Sequence, residues 1–315
     1  MLLWVTILIG YFTFKWFLGK LKVKNYGDKY VLVTGCDTGF GHLLAKRLDV
    51  LGFHVLAACL KQDAADELKK TSSERLQILQ LDVTSEDDIK SALTKVKSIL
   101  PSNKGLWAVV NNAGIGGAIG PIECLNRKDY IDTLAVNLFG VIDVTKLFLP
   151  LIRKARGRVV NIASMLGRIA LVPEPYCVSK YGVEAFSDSL RREVYHQGIK
   201  VSILEPGYFN TEIINIQKVH ERLRDAFKQG DSEFQEYYGQ EYIDQTKTLI
   251  NKLPSSNNLF EVIDAYEHAI TARYPKQRYI VGNDAKYVFR LLWTISEWMS
   301  DFVICLNSPR PQGSR

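Results

Sequence analysis

The chain has 315 residues, 47% hydrophobic and 23% charged, enough for one large domain or two small ones with a sizeable core. Its net charge of +6 is mild, and beyond residue 60 the lysines and arginines are scattered, without the aromatic-studded basic stripe that grips nucleic acid. The cysteines at 36, 59, 124, 177 and 305 show neither CxxC nor metal-ligand spacing, and the histidines show none, which speaks against a disulfide scaffold and a metal centre and for a cytosol-facing domain.

The first element is apolar. Residues 1–14 carry no charged side chain, Lys15 interrupts, and Trp16-Phe17-Leu18 resume the run, giving a segment at the lower edge of a membrane span of roughly 17–25 residues. Tyr11, Trp16 and the phenylalanines suit an interfacial belt. Lys20, Lys22 and Lys24 follow the segment, whereas a cleavable signal peptide carries its charge first and ends in small residues. The order predicts an uncleaved membrane anchor over residues 1–18 and a basic linker over 19–28. The positive-inside rule then leaves the following domain on the cytosolic side.

From Lys29 onward, short β-branched runs alternate with helical stretches. Tyr30–Val33, His54–Ala57, Leu76–Leu79, Trp107–Val110, Arg158–Ile162 and Lys200–Leu204 read as strands, and stretches such as His42–Leu51 and Ser85–Leu100 read as helices. This alternation predicts an α/β fold over 29–284: a Rossmann-type, doubly wound parallel sheet with helices on both faces. In such sheets a ligand binds beyond the carboxyl ends of the strands. The turn after the first strand, Thr34-Gly-Cys-Asp-Thr-Gly-Phe-Gly41, lies there, as does Asn111-Asn-Ala-Gly114 after the fourth. Gly35, Gly39 and Gly41 permit a tight turn and close approach of a dinucleotide pyrophosphate to the helix N-terminus.

Three later residues point to chemistry. Tyr176 and Lys180 are four apart, so on a helix they share one face. A tyrosine with a pKa near 10 is a poor base at neutral pH, and an ammonium one turn away favours its anion. Ser164 is placed to hold a carbonyl or alcohol oxygen. A Tyr-x-x-x-Lys pair alone arises by chance, and glycines punctuate many loops. The ordered set of glycine turn, Asn111–Gly114, Ser164, Tyr176 and Lys180 is far more specific, and describes hydride transfer at a carbonyl carbon.

That set resembles the short-chain dehydrogenase/reductase family, over about Lys29 to Val281. The segments Tyr30–Gly41, Val55–Leu60, Tyr176–Ser187 and Glu205–Phe209 look most similar to the membrane-bound retinol and hydroxysteroid dehydrogenases. The mitochondrial 3-hydroxybutyrate dehydrogenases are similar over much the same stretch. The resemblance implies that Tyr176 is the general acid/base and that Ser164 positions the substrate oxygen. Lys180 then lowers the tyrosine pKa and bonds the nicotinamide ribose, and Asn137 supports a proton-relay water. It also implies a cofactor site made of Gly35, Asp37, Thr38, Gly39, Phe40, Gly41, Lys61, Asp82, Val83, Asn111, Ala113, Gly114, Tyr176, Lys180, Pro206, Gly207 and Thr211. Asp82 would meet adenine, or Thr84 or Ser85 would simply cap a helix there; Asn111, Ala113 and Gly114 would border the adenosine ribose. Pro206 and Gly207 would border the nicotinamide and Thr211 its carboxamide, with helix capping an alternative role for Thr211.

The stretch after the second strand, Ala58-Cys-Leu-Lys-Gln-Asp63, has no acid immediately at its strand end. Lys61 would meet a 2′-phosphate or be a solvated loop lysine, and Asp63 would repel a phosphate. NAD is favoured over NADP. The implied partners are a lipophilic alcohol or its ketone or aldehyde, and membrane lipid, with an endoplasmic reticulum location. Relatives associate through the helix carrying Tyr176, but no residue here establishes a homodimer.

Residues 208–260 form the region that the family varies for its substrate; Tyr208, Phe209, Ile213, Ile214, Ile216, Phe227 and Phe234 would suit a lipophilic pocket. Residues 285–315 read as an amphipathic helix, either core or membrane-interfacial, with a disordered tail from Asn307. A 3-hydroxybutyrate dehydrogenase would need a cationic or amide clamp and an arginine-rich presequence, and residues 1–18 have no arginine. A noncatalytic, cofactor-sensing membrane scaffold would be expected to lack one of Asn137, Ser164, Tyr176 and Lys180, and all are present.

Overall fold

The computed structural model describes residues 10, 13–171 and 174–314. Seven parallel strands form one sheet in the order β3-β2-β1-β4-β5-β6-β7. They are β1 Tyr30–Thr34, β2 His54–Cys59, β3 Leu76–Gln80, β4 Leu106–Asn111, β5 Arg158–Ile162, β6 Lys200–Pro206 and β7 Arg278–Val281. Six of them match the β-branched runs of the sequence, and β7 is an addition at the sheet edge. Each central strand is buried on both faces, so apolar side chains follow one another along it rather than alternating with polar ones, apart from buried polar residues such as Asn111 of β4 and Arg158 and Asn161 of β5.

Helices cover both faces. On one side Gly39–Val50 and Phe260–Thr271 pack Leu44, Leu48, Ile263 and Tyr266 against the sheet. On the other, Glu86–Ile99 and Gly140–Ala155 contribute Ile89, Val96, Val144, Phe148 and Ile152. Among the described residues, one helical stretch, Arg127–Ala155, is long and apolar enough to cross a membrane. Its apolar residues Val144, Phe148 and Ile152 are fully buried against the sheet, which makes it a core element of the domain.

Most of the expected anchor lies outside the described residues. Residues 13–20 are helical, with Phe14, Trp16 and Phe17 more than half exposed. The segment expected as a linker is docked on the domain. The Val23 N–H donates to the Thr271 carbonyl at 2.8 Å, the Arg273 N–H to Leu21 at 2.7 Å, and Lys22 pairs with Glu267 at 2.9 Å.

The helices Ile216–Phe227 and Ser232–Asn251 form a cover with its own small core of Cys124, Leu223, Phe227, Phe234 and Ile243. Phe227 and Phe234, expected at a pocket wall, are spent on that core. Two expectations for the C-terminus are corrected. The single amphipathic helix is three pieces, a π-helical turn Asp284–Phe289, a turn Arg290–Leu292 and a helix Glu297–Leu306, with Tyr287, Trp298 and Phe302 largely exposed. The tail expected to be disordered packs along Ser232–Asn251, where the Arg310 N–H donates to Gln245 at 3.1 Å and Gln312 lies against Gly239.

Candidate active site

Every sequence-selected residue except Asn137, Tyr176 and Lys180 ends a strand, follows one or opens the element after it; Asn137 lies in the π-helical turn Ala135–Phe139, and Tyr176 and Lys180 on the helix Pro175–Glu193. The turn after β1 is bare backbone. Gly35 and Gly39 adopt φ +68° and +60°, where a Cβ is unfavourable. A Cβ on Gly35 would lie 2.7 Å from the Ala113 Cα, and one on Gly41 would strike the Gly35 carbonyl and the Asn112 amide. The turn is locked to the β4 end by Thr34, whose Oγ1 accepts from the N–H groups of Asn112 (3.0 Å) and Ala113 (3.1 Å). Asn112 closes the arrangement: its Nδ2 donates to the Thr34 and Gly35 carbonyls, and its Oδ1 accepts from Tyr266. The result is a hollow lined by N–H groups at the N-terminus of Gly39–Val50, where an anion is favoured.

Asp37 and Lys61 meet at the end of β2. The Asp37 carboxylate accepts the backbone N–H groups of Leu60 (3.0 Å) and Lys61 (2.7 Å), which returns an acid to the strand end where the sequence shows none. The Thr38 and Thr211 side chains cap no helix; a Cβ on Gly39 would lie 3.9 Å from the Thr211 methyl group, so Thr211 overhangs the turn. Phe40 packs edge-on against Phe209. Asp82 bonds the Thr84 N–H and hydroxyl, while Ser85 is the helix N-cap. Val83 packs on Gly140. Asn111 has its side chain directed into the sheet instead, where it donates to Thr145 and Asn161 at 2.8 Å each. Any contribution it makes at the cleft is through its backbone.

The reacting cluster draws on four elements. Ser164 follows β5, is 7% exposed and caps a 3₁₀ turn through the Leu166 N–H. Pro175 opens the helix that presents Tyr176 and Lys180. Asn137 sits in the π-helical turn Ala135–Phe139, fully buried. Its amide exchanges two hydrogen bonds with Ile115 (2.8 and 2.9 Å) and donates to Ser179 at 3.1 Å. Ser179 donates in turn to the Tyr176 carbonyl at 2.7 Å. A Cβ on Gly114 would stand 3.3 Å from the Asn137 oxygen and 3.8 Å from the Lys180 ammonium, so glycine there leaves the lysine room.

Burial governs the electrostatics. It pushes the Tyr176 phenol well above the ordinary tyrosine value, opposed first by a hydrogen bond with Ser164. It brings Lys180 down to about 8, against the pull of Glu184. The Lys180 ammonium donates to the Ile162 carbonyl at 3.1 Å and lies 5.4 Å from the Tyr176 ring centroid. In the protein alone, burial outweighs the lowering effects of the Ser164 hydrogen bond and the Arg222 charge on the phenol.

Several site residues escaped the sequence reading. Besides Asn112 and Ser179 there is Asp284, whose carboxylate accepts the Tyr208 N–H at 2.7 Å and presses on Gly207 just beyond Pro206. Arg222 ties the cover to the loop after β4 by donating to Gly117 (3.0 Å) and Ile213 (2.6 Å). Glu174, two residues before Tyr176, is 8% exposed, and burial lifts its carboxyl to about 8.

Comparison with known proteins agrees with this geometry. Residues 29–221 match the family model described as short chain dehydrogenase. The chain is 45% identical to human 17-beta-hydroxysteroid dehydrogenase type 6 over 99% of both chains. It is 46% identical to rat retinol dehydrogenase 7 over 92% of both. Among solved structures, a short-chain dehydrogenase/reductase from Burkholderia phymatum in complex with NAD superposes with a TM-score of 0.68, at 19% identity, over 91% of this chain and 98% of its own. One from Burkholderia cenocepacia in complex with NADP gives 0.67, also at 19% identity, over 88% and 97%. The chain belongs to the short-chain dehydrogenase family, and it is an oxidoreductase related to the retinol and hydroxysteroid dehydrogenases.

Proposed function

We propose that the protein interconverts a lipophilic alcohol, a retinol or a hydroxysteroid, with its aldehyde or ketone, using Tyr176 as general acid/base. The observation that carries this reading is the convergence of Ser164, Tyr176, Lys180 and Asn137 beside a turn stripped of side chains. The substrate oxygen sits between the Ser164 hydroxyl and the Tyr176 phenol, which takes the alcohol proton in oxidation and returns it in reduction. Asn137, bonded to Ile115 and Ser179, fixes the helix that carries both tyrosine and lysine.

The residues fit a nicotinamide dinucleotide. The glycine hollow suits its pyrophosphate, and Gly114 leaves the Lys180 ammonium open toward the cleft. Bound there, the nicotinamide supplies or accepts the hydride. We favour NAD because the Asp37 carboxylate, fixed by two backbone N–H groups at the end of β2, suits a ribose 2′-hydroxyl and repels a 2′-phosphate. Attachment to the endoplasmic reticulum membrane through residues 1–18, with lipid also meeting the exposed Tyr287, Trp298 and Phe302, accords with a lipophilic substrate.

The test is activity in membranes with all-trans-retinol and with 3α- and 17β-hydroxysteroids, under NAD and NADP separately. Tyr176→Phe is expected to lower turnover by about 10²–10⁴ while cofactor still binds. Turnover near the wild-type level in that variant would refute the assignment of the base. Asp37→Ser is expected to cut the preference for NAD over NADP at least tenfold, on the order of a lost charge-assisted hydrogen bond. An unchanged ratio would remove Asp37 from cofactor selection.

A further inference from the structure

The segment between the proposed anchor and the domain is held where a helix runs out of partners. The last carbonyls of a helix have none within it, and at the end of Phe260–Thr271 they are met from elsewhere. Arg158 donates to Ala269 at 2.9 Å and the Trp107 indole to Ile270 at 3.0 Å. Thr271, 1% exposed, is left to the Val23 N–H at 2.8 Å. Just beyond, the Arg273 N–H donates to Leu21 at 2.7 Å, and the His268 Nε2 donates to the Gly19 carbonyl at 2.8 Å. Lys22 adds an ion pair with Glu267 at 2.9 Å. Residues 19–23 thus form a strap across the end of this helix, and without it a buried carbonyl stands unpaired.

The same helix reaches the glycine hollow by two routes. Tyr266, fully buried, donates its hydroxyl to the Asn112 Oδ1 at 3.1 Å, and the Asn112 amide holds the Thr34 and Gly35 carbonyls at 3.0 and 3.1 Å. Glu267, the partner of Lys22, also pairs with Arg47 at 2.8 Å, on the helix Gly39–Val50 whose N-terminus forms the hollow. Tyr266, Glu267 and His268 are consecutive, so a single helical turn joins the strap to the hollow.

We propose that residues 19–23 are positioning residues for the dinucleotide. Docked, they hold Phe260–Thr271 where Tyr266 and Glu267 fix the phosphate turn; when they lift, cofactor affinity falls. The turn serves an anion only while its N–H groups converge on the hollow and the Thr34 and Gly35 carbonyls stay tied back by Asn112. The proposal rests on the reading of the glycine hollow as the dinucleotide site, and it ties the affinity of that site to the segment through which the protein would meet the membrane. Linkage is reciprocal, so bound dinucleotide tightens the strap in turn.

The test uses the full chain in detergent micelles, with NADH and NADPH titrated by fluorescence and amide exchange followed by mass spectrometry. Val23→Pro removes the donor to Thr271, and Lys22→Glu sets a like charge against Glu267. Each is expected to raise the Kd of the preferred dinucleotide about three- to tenfold, a range usual for coupled neighbours. Each is also expected to speed exchange over residues 34–41 in the cofactor-free protein, while Glu86–Ile99, on the other face of the sheet, keeps its rate. In a background of Tyr266→Phe with Arg47→Ala, which cuts both routes, the same strap substitutions are expected to change Kd less than about twofold. Saturating dinucleotide is expected to slow exchange over residues 19–23 in the wild type. An unchanged Kd in both strap variants, a rise that persists in the cut background, or exchange that quickens equally over residues 34–41 and Glu86–Ile99 would each overturn the proposal. A wild type that binds neither NADH nor NADPH would sink the reading of the hollow and the strap with it; binding that is indifferent to the strap would sink the strap alone.

Discussion

At the carboxyl edge of the sheet, side chains are withheld; in the cover, residues 216–251 with the C-terminal pieces 284–306, they are added, and many are left uncovered. The edge places Gly35, Gly41 and Gly114 where a Cβ would meet backbone, the Asn112 amide or the Asn137 oxygen, and the loops carrying them are tied by hydrogen bonds with Thr34, Asn112 and Asn137. The cover holds itself together with a core of six buried residues, bends at Gly239 where φ is +72°, and leaves Tyr287, Trp298 and Phe302 exposed. The edge leaves little freedom, as suits a site that would hold the same dinucleotide whatever the substrate. The cover is joined to the edge by a few polar ties, chiefly Arg222 to Gly117 and Asp284 to Tyr208. On the function proposed above, chemistry is invested in the edge and substrate choice in the cover.

The sharpest way to break this contrast is to add one methyl group at the edge. Gly41→Ala drives a Cβ into the Gly35 carbonyl and the Asn112 amide, both of which are tied down. We expect a loss of about 1–3 kcal/mol in stability and a cofactor Kd raised at least tenfold, measured by thermal melting and NAD titration. A variant that melts and binds like wild type would mean that the edge is soft.

A smaller effect is expected at the seam between the regions. Asp284→Ala frees the Tyr208 N–H and relaxes the turn at Gly207, at a cost of about 1–2 kcal/mol. If edge and cover divide their work as argued, KM for the alcohol rises several-fold while the cofactor Kd changes less than twofold. A Kd that rises as much as KM would show that the cover also shapes the cofactor site.

The two regions also differ in how far their residues announce themselves. The edge is local: the glycine turn, Asn111–Gly114 and Ser164 each end or follow a strand, and the spacing of Tyr176 and Lys180 is a helical turn, so six strands and the clustering of Ser164, Tyr176 and Lys180 were legible in the chain. What was hidden there are long-range partners. Asn112 looks like any loop asparagine until Thr34, 78 residues away, and Tyr266, 154 residues away, are brought to it. Asn111 sits in the same motif, and nothing local shows that its side chain faces Asn161 instead. Beyond β6, local signals mislead. β7 is four residues that become a strand only because β6 offers an edge. Phe227 and Phe234 read as pocket lining because apolar residues look alike until the packing shows which of them touch. Asp284 acts on a turn 76 residues earlier.

Glu174 stands where edge and cover meet, and its titration gives the smallest effect and the finest test. Burial lifts this carboxyl from an ordinary value near 4.5 to about 8, with Arg222 opposing. The folded state therefore keeps a proton that the unfolded chain has already lost, so stability is full below pH 4.5 and declines as pH rises toward 8. Glutamine cannot ionise, so Glu174→Gln should melt with the wild type at pH 4.5 and above it at pH 8. A penalty on the order of 1 kcal/mol moves the Tm of a chain this size by about 2–4 °C. Parallel curves across that range would mean that Glu174 already has a partner in the folded protein. A gap that opens as pH rises would show that burial, where edge and cover meet, is what holds the proton on this carboxyl.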